Sequence, residues 1–201
     1  MKTTTKFILT LAIAAVPAIS QATDYNSNTT ISGTVTDTSV AINDNAIVEV
    51  VAGGIWNASG SFYLNNNVSP NSTALVNGGI FNYTSGGDGF QLGWYYGGHF
   101  NISAGSANFS STLHMYNGDI NITGGTLNLL SNNLQIGEFG DSLLNSVSIS
   151  GGTANIKGIQ YDGAMGAPAS RMVNTTWLSP APALSVSAAM ELMLAAESLA
   201  R

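Results

Sequence analysis

The sequence predicts an all-β protein: a single-stranded parallel β-solenoid (β-helix) of five to six coils, with an N-terminal signal peptide and a C-terminal helix. Three observations predict this fold. A short motif recurs every 20 to 27 residues, apolar and polar residues alternate around each copy, and only 8% of the residues are charged. Repeats of this length are typical of solenoids, in which each repeat is one lap that pairs with its neighbours.

The recurring motif is an aliphatic residue, a glycine three positions later, and an asparagine three positions after that. The glycine anchors are Gly54, Gly79, Gly105, Gly125 and Gly152, and the asparagine anchors are Asn57, Asn82, Asn108, Asn128 and Asn155. Glycine at a fixed position suits a sharp turn with a positive φ, which costs other residues energy. The asparagines are predicted to point outward and to form a structural hydrogen-bonded ladder.

Alternation around the motif separates inward from outward positions. The residues two and four places after each glycine are apolar, and a later triplet has the form apolar-x-apolar. This period of two indicates half-buried strands. The first residues of the triplets, predicted to stack in one interior column, are Phe62, Phe90, Leu113, Leu134 and Ile159. The competing interpretation is an irregular β-sandwich or jelly roll.

The N-terminal residues 1–22 have the pattern of a secretory signal peptide. Lys2 and Lys6 precede an apolar run, and small residues occupy Ser20 and Ala22. Signal peptidase requires small residues at these spacings, so cleavage is expected after Ala22, with Ser20 as the alternative end. The sequence therefore predicts an exported protein.

The remaining chain divides into three parts. Residues 23–161 are the predicted solenoid repeat domain. Residues 162–184 contain three prolines and are interpreted as a linker. Residues 185–201 predict an amphipathic helix, which either caps the last coil or is a degenerate sorting tail. Two glutamates in this helix argue against a membrane span.

Composition excludes several classes of function. Without the signal peptide, three basic residues face eleven acidic ones, a formal charge of −8. Electrostatic binding of nucleic acid or anionic lipid is therefore not expected. The chain has no cysteine, so neither a disulfide framework nor thiol chemistry is available. No cofactor is predicted.

Two phrases carry a resemblance to a known group. ISGGTANI and ITGGTLNL, the latter followed by LQIG, resemble autotransporter-associated β-strand repeats and exported bacterial β-solenoid proteins of the PEP-CTERM type. The resemblance covers roughly residues 31–161. In the tail, Pro180-Ala181-Pro182 stands where that group has Pro-Glu-Pro, and the chain ends in one arginine rather than a basic cluster. The resemblance implies an extracellular, cell-surface or periplasmic and outer-membrane location.

One insertion suggests a binding surface. Trp94, Tyr95 and Tyr96 are consecutive aromatic residues in the longest insertion of the repeat region. Aromatic rings beside amides and hydroxyls are typical of sugar-binding faces, so these residues are the predicted glycan contact. The other interpretation is that this loop folds back and covers an edge of the coil.

No catalytic or metal-binding residues are predicted. The two histidines, His99 and His114, are too few for a zinc site. No two acids recur at the same position in adjacent repeats, as paired catalytic carboxylates would require. The expected function is a non-enzymatic structural or adhesive protein of the cell surface or extracellular matrix, with polysaccharide or surface proteins as partners. The alternatives are a polysaccharide lyase or glycosidase on a β-helix and, lower in rank, an ice-binding solenoid.

Overall fold

The computed structural model describes residues 21–64, 71–94, 97–137 and 145–161, which contain twelve β-strands and no helix. The strands are β1 (Gln21–Tyr25), β2 (Thr29–Ile31), β3 (Thr34–Ile42), β4 (Ile47–Val51), β5 (Ile55–Leu64), β6 (Ser72–Leu92), β7 (Gly98–Phe109), β8 (Leu113–Met115), β9 (Gly118–Ile122), β10 (Thr126–Ile136), β11 (Ser146–Ile149) and β12 (Thr153–Tyr161). In these ranges no helix is long and apolar enough to cross a membrane.

The strands form a parallel β-solenoid, as the repeat predicts. Every pairing between the described strands is parallel, and partners are one lap apart in sequence. Such pairing requires the chain to travel round before it returns, and is incompatible with a sandwich of hairpins. The described strands include partial laps, so the number of coils stays a prediction. The predicted signal peptide up to residue 20, the linker and the C-terminal helix lie outside the described residues.

Each lap has three faces, which we call the third face, the motif face and the triplet face in the order in which the chain meets them. The third face, so called because it carries neither the motif nor the triplet, consists of β2, β4, β9, β11 and the first parts of β6 and β7. The chain then turns at the glycine anchor into the motif face, which carries the asparagines. A second bend leads to the triplet face, which carries the apolar-x-apolar triplets and includes β1 and β8.

The interior consists of apolar columns that run along the solenoid axis. The predicted column Phe62–Phe90–Leu113–Leu134–Ile159 is confirmed: its members pair lap by lap, and the first four are at most 1% exposed. On the motif face, Trp56, Phe81, Ala107 and Leu127 are likewise fully buried in register. Burial of such side chains contributes about 1.5–3 kcal/mol each to stability.

All five glycine anchors lie against the backbone of the previous lap, but only three of them have the predicted positive φ, which corrects the prediction in part. Gly105, Gly125 and Gly152 have the expected positive φ of 83°, 73° and 79°. Gly54 and Gly79 do not, because the positive φ falls one residue earlier in those laps. A Cβ at Gly54 would lie 2.1 Å from the carbonyl oxygen of Ile31, and one at Gly79 2.5 Å from that of Val51. Glycine is required there by the close approach of the neighbouring lap.

Candidate functional site

An aromatic group lies where the triplet face turns toward the third face. The rings of Trp94 and Tyr116 meet edge to face, with centroids 4.8 Å apart and planes at 76°. The imidazole of His114 stacks parallel to Tyr116 at 6.1 Å. Tyr116 is only 5% exposed, whereas Trp94 and His114 are half-buried. We call these three residues the aromatic corner; Tyr116 supports the two rings that reach the surface.

The position of His114 depends on a glycine in the previous lap. Gly89 has a φ of +84°, and a Cβ there would lie 3.3 Å from Cδ2 of the His114 ring. A side chain at residue 89 would therefore crowd the imidazole. Sequence reasoning considered His114 as a possible zinc ligand and did not connect it with Trp94 or Tyr116.

Planar amides continue the surface from His114 along the triplet face. Gln135 pairs in register with His114, and Gln160 pairs with Gln135. Gln135 is half-buried and Gln160 is exposed. Strands of one sheet are about 4.8 Å apart, so these side chains form a regular series that we call the amide row. Gln91, on the other side of His114, is only 4% exposed and does not extend the surface.

The predicted glycan contact is described only in part. Trp94 is half-buried at the surface, and its ring packs on Tyr116. Tyr95 and Tyr96 lie outside the described residues. The sequence contained a signal for further residues of this site. His114, Gln135 and Gln160 are the middle residues of successive apolar-x-apolar triplets, and the structure pairs them in register.

The asparagine anchors form an amide ladder along the motif face. Each side-chain Nδ2 donates to the Oδ1 of the asparagine one lap earlier, over 2.8–2.9 Å in all four steps. The first four members are half-buried and the last is exposed, and all the bonds run in the same direction along the ladder. The ladder members are Asn57, Asn82, Asn108, Asn128 and Asn155.

A second polar group on the third face joins His99 to Asp119. The His99 Nδ1 lies 2.6 Å from Asp119 Oδ1, and its Nε2 lies 3.3 Å from Asn71 Oδ1. Asn121 donates to Asp119 and also, over 3.1 Å, to Asn101 Oδ1. His99 and Asp119 occupy equivalent positions in adjacent laps. Both imidazole nitrogens therefore already face oxygen atoms of the protein.

A buried carboxylate, which sequence reasoning missed, lies near the first laps. Asp37 is 2% exposed and points into the core from the motif face. It accepts hydrogen bonds from Thr23 Oγ1 (2.6 Å), Tyr25 OH (3.0 Å) and Trp56 Nε1 (2.7 Å). Three donors offset the cost of removing the carboxylate from water. The signal was present, since alternation places Asp37 at an inward position.

The buried carboxylate of Asp37 affects the ionisation of Tyr25. Burial, followed by the charge of Asp37 and the hydrogen bond to it, raises the pKa of the Tyr25 hydroxyl well above its ordinary value. The neutral phenol is therefore the form that suits the folded state. Its ring also meets Trp56 edge to face at 5.6 Å. In this cluster, which we call the Asp37 cluster, a buried carboxylate bonds the half-buried hydroxyls of β1 and so joins β1 to the solenoid.

Within the described ranges, no group of three or more His, Cys, Asp or Glu side chains is arranged to hold a metal ion. No protein-family model, curated protein or solved structure matches the chain. The functional interpretation of the aromatic corner and the amide row therefore depends on their geometry alone.

Proposed function

We propose that this protein is a non-enzymatic, exported surface or extracellular-matrix protein. Its solenoid serves as a structural or adhesive scaffold, and the aromatic corner with the amide row contacts polysaccharide. The supporting observation is the combination of two half-buried rings, Trp94 and His114, with the in-register amides of Gln135 and Gln160. Ring faces pack on the CH-rich surfaces of sugars, and amides bond their hydroxyls.

The regular spacing suits an extended ligand. A row of equivalent side chains about 4.8 Å apart offers the same contact at each lap. A linear polysaccharide has repeated hydroxyls along its length and can engage several laps at once, which raises its avidity. Tyr95 and Tyr96 are proposed to add to this surface beside Trp94. Other cell-surface proteins are the alternative partners.

Binding is tested by screening the purified mature protein on a glycan array and then measuring the affinity of the best ligand. Trp94→Ala should weaken binding by about tenfold or more, since one aromatic contact contributes on this scale. The matched control is Leu130→Ala, because Leu130 is 66% exposed and lies outside both the aromatic corner and the amide row. If no glycan is retained, or if both variants bind equally, the proposed surface is wrong.

The arrangement of carboxylates supports the non-enzymatic proposal over a glycosidase or lyase. On the third face, the strands of Glu49 and Asp119 are three laps apart, about 14 Å at the usual strand spacing, and Glu49 is in register with Asn121, so the two carboxylates lie farther apart still. Glycosidases hold their two carboxylates about 5–9.5 Å apart. Glu49 also accepts a bond from Asn77, and Asp37 is enclosed. Turnover of a polysaccharide that Asp119→Asn abolishes would overturn the proposal.

Export belongs to the same proposal. Residues 1–22 are the proposed signal peptide, and the mature chain is expected to begin at Thr23. β1 begins at Gln21, so cleavage after Ala22 would retain Thr23 and Tyr25, the two residues of β1 that bond Asp37. The mass of the secreted protein identifies the cleavage site. Retention of residues 1–22 in protein recovered outside the cell would contradict this part.

A further inference from the structure

The buried carboxylate of Asp37 has hydrogen-bond donors, but no lysine or arginine of the described residues lies near it. Its three donors, Thr23, Tyr25 and Trp56, are all neutral groups. Lys157 is the one lysine or arginine in the described ranges, and it lies in β12, at the other end of the solenoid. A buried charge is costly unless it is paired as well as hydrogen-bonded. A cation close to Asp37 would therefore stabilise the folded chain.

The backbone nitrogen of Thr23 lies close to this carboxylate. Thr23 Oγ1 donates to Asp37 Oδ1 over 2.6 Å. Within one threonine, standard bond lengths keep Oγ1 and the backbone nitrogen at most about 3.7 Å apart. The Thr23 nitrogen therefore lies no farther than about 6 Å from Asp37 Oδ1. Opposite charges at such a separation stabilise each other appreciably.

The charge at this nitrogen depends on whether the chain continues in front of it. β1 begins at Gln21, so in the uncut chain the nitrogen of Thr23 is a neutral peptide amide. A free α-amino group has an ordinary pKa near 8 and is positively charged at neutral pH. Cleavage between Ala22 and Thr23 therefore introduces a positive charge beside Asp37.

We propose that removal of the signal peptide after Ala22 creates an ion pair between the new α-amino group of Thr23 and the buried carboxylate of Asp37. This inference rests on the proposed export of the protein. Among the described strands, β1 pairs only with β3, and a chain terminus is poorly ordered unless contacts hold it in place. The ion pair holds the shortened β1 against β3, and the precursor cannot form it.

Asp24 is a second carboxylate close to the same amino group, and it provides a matched control. Asp24 follows Thr23 in β1, so alternation points its side chain away from the core, and it is exposed. Water and salt screen exposed charges, so such a pair contributes little. The variant Asp24→Asn removes this exposed charge and leaves the buried one.

Acetylation of the N-terminus tests the ion pair in the full mature chain, residues 23–201, because it removes the charge without shortening the chain. At about pH 6.5, below the ordinary pKa of an α-amino group, acetylation should lower the urea midpoint by on the order of 0.5 M. The decrease should persist in Asp24→Asn and disappear in Asp37→Asn. Equal midpoints for the free and acetylated chains would overturn the inference, as would a decrease that persists in Asp37→Asn.

Titration of the amino group keeps the inference testable if Asp37→Asn does not fold. Followed by NMR, the pKa of the Thr23 amino group should be higher in the folded mature chain than in the same chain unfolded in urea, because Asp37 stabilises the charged form. An equal or lower pKa in the folded chain would refute the ion pair.

The mass of the secreted protein separates this inference from the proposed export. A mature chain that begins at Thr23 agrees with both. A chain that begins at Gln21 is still exported but refutes the ion pair, because its amino group belongs to another residue. Retention of residues 1–22 contradicts the export itself.

Discussion

The early and late laps of the solenoid share one parallel register but have different interiors. From β5 to β7 the core is aromatic, and rings contact each other at centroid distances of 4.5–6.1 Å. From β8 to β12 it is aliphatic. Asp37, a buried carboxylate, belongs to the same inward column as Tyr83. The comparison teaches that the backbone pairing determines whether a side chain points inward or outward. Packing and hydrogen bonding with its neighbours then determine which residue types are tolerated at that position.

The aromatic region shows how the columns cooperate. Phe62 and Phe90 stack at 4.5 Å with planes 17° apart, whereas Phe81 and Tyr83 meet them edge to face. These geometries add about 0.5–1.5 kcal/mol per pair to the burial energy. In the described part of the later laps, the interior columns consist of aliphatic side chains and methionine, and the core there depends on their packing.

The largest expected effect comes from introducing a carboxylate at a position equivalent to that of Asp37 in a later lap, where no hydrogen-bond donors surround it. Leu129 occupies the equivalent inward position in a later lap, with no exposed surface. Leu129→Asp should prevent folding, because an unpaired buried charge costs several kcal/mol against a typical total stability of about 5–15 kcal/mol. Circular dichroism and urea unfolding measure this. Leu129→Met, which conserves volume, is the control; a wild-type urea midpoint for Leu129→Asp would contradict the comparison.

The second prediction concerns pH and the Asp37 cluster. The folded state raises the pKa of the Tyr25 hydroxyl, so it binds the proton more tightly than the unfolded chain does. The contribution of Tyr25 to the free energy of unfolding should therefore fall as pH rises above the ordinary tyrosine pKa of about 10, and not below it. Urea midpoints measured from pH 8 to 11 should show this fall. Tyr25→Phe should remove part of the alkaline slope; an unchanged slope would show that Tyr25 does not cause it.

The smallest effect is expected in the amide ladder. Asn108 donates to Asn82 and accepts from Asn128, whereas Asn155 makes only the bond to Asn128 within the ladder. Asn108→Ala should lower the free energy of unfolding by about 1–2 kcal/mol, and Asn155→Ala by about half as much. Both are measured by urea unfolding. Equal decreases in the free energy of unfolding for the two variants would contradict a contribution from each hydrogen bond of the ladder.

Some contacts were predictable because they depend on period alone. A glycine and an asparagine at one phase in five repeats predicted both the coil and the stacking of Asn57 on Asn82. Alternation likewise predicted the column that begins at Phe62. The bonds of Asp37 to Trp56 and Thr23 were not predicted, since they join three laps whose spacing differs. The pairing of His99 with Asp119 was also missed, although the two residues occupy equivalent positions in adjacent laps.

The sequence by itself determined the class of fold, the inward and outward phases and the chemistry of the exposed rows. These properties repeat along the chain, and a period of two specifies the side of a strand without any knowledge of its neighbours. Only the tertiary structure decided which laps lie side by side. In that register, Trp94 contacts Tyr116, and the hydrogen-bond donors of Asp37 lie within reach of its carboxylate. The same register requires glycine at residue 54 because the neighbouring lap lies so close, and not because of a positive φ. The physical reason is that loops of unequal length separate the laps, so contacts between laps depend on distances in space and not on sequence spacing.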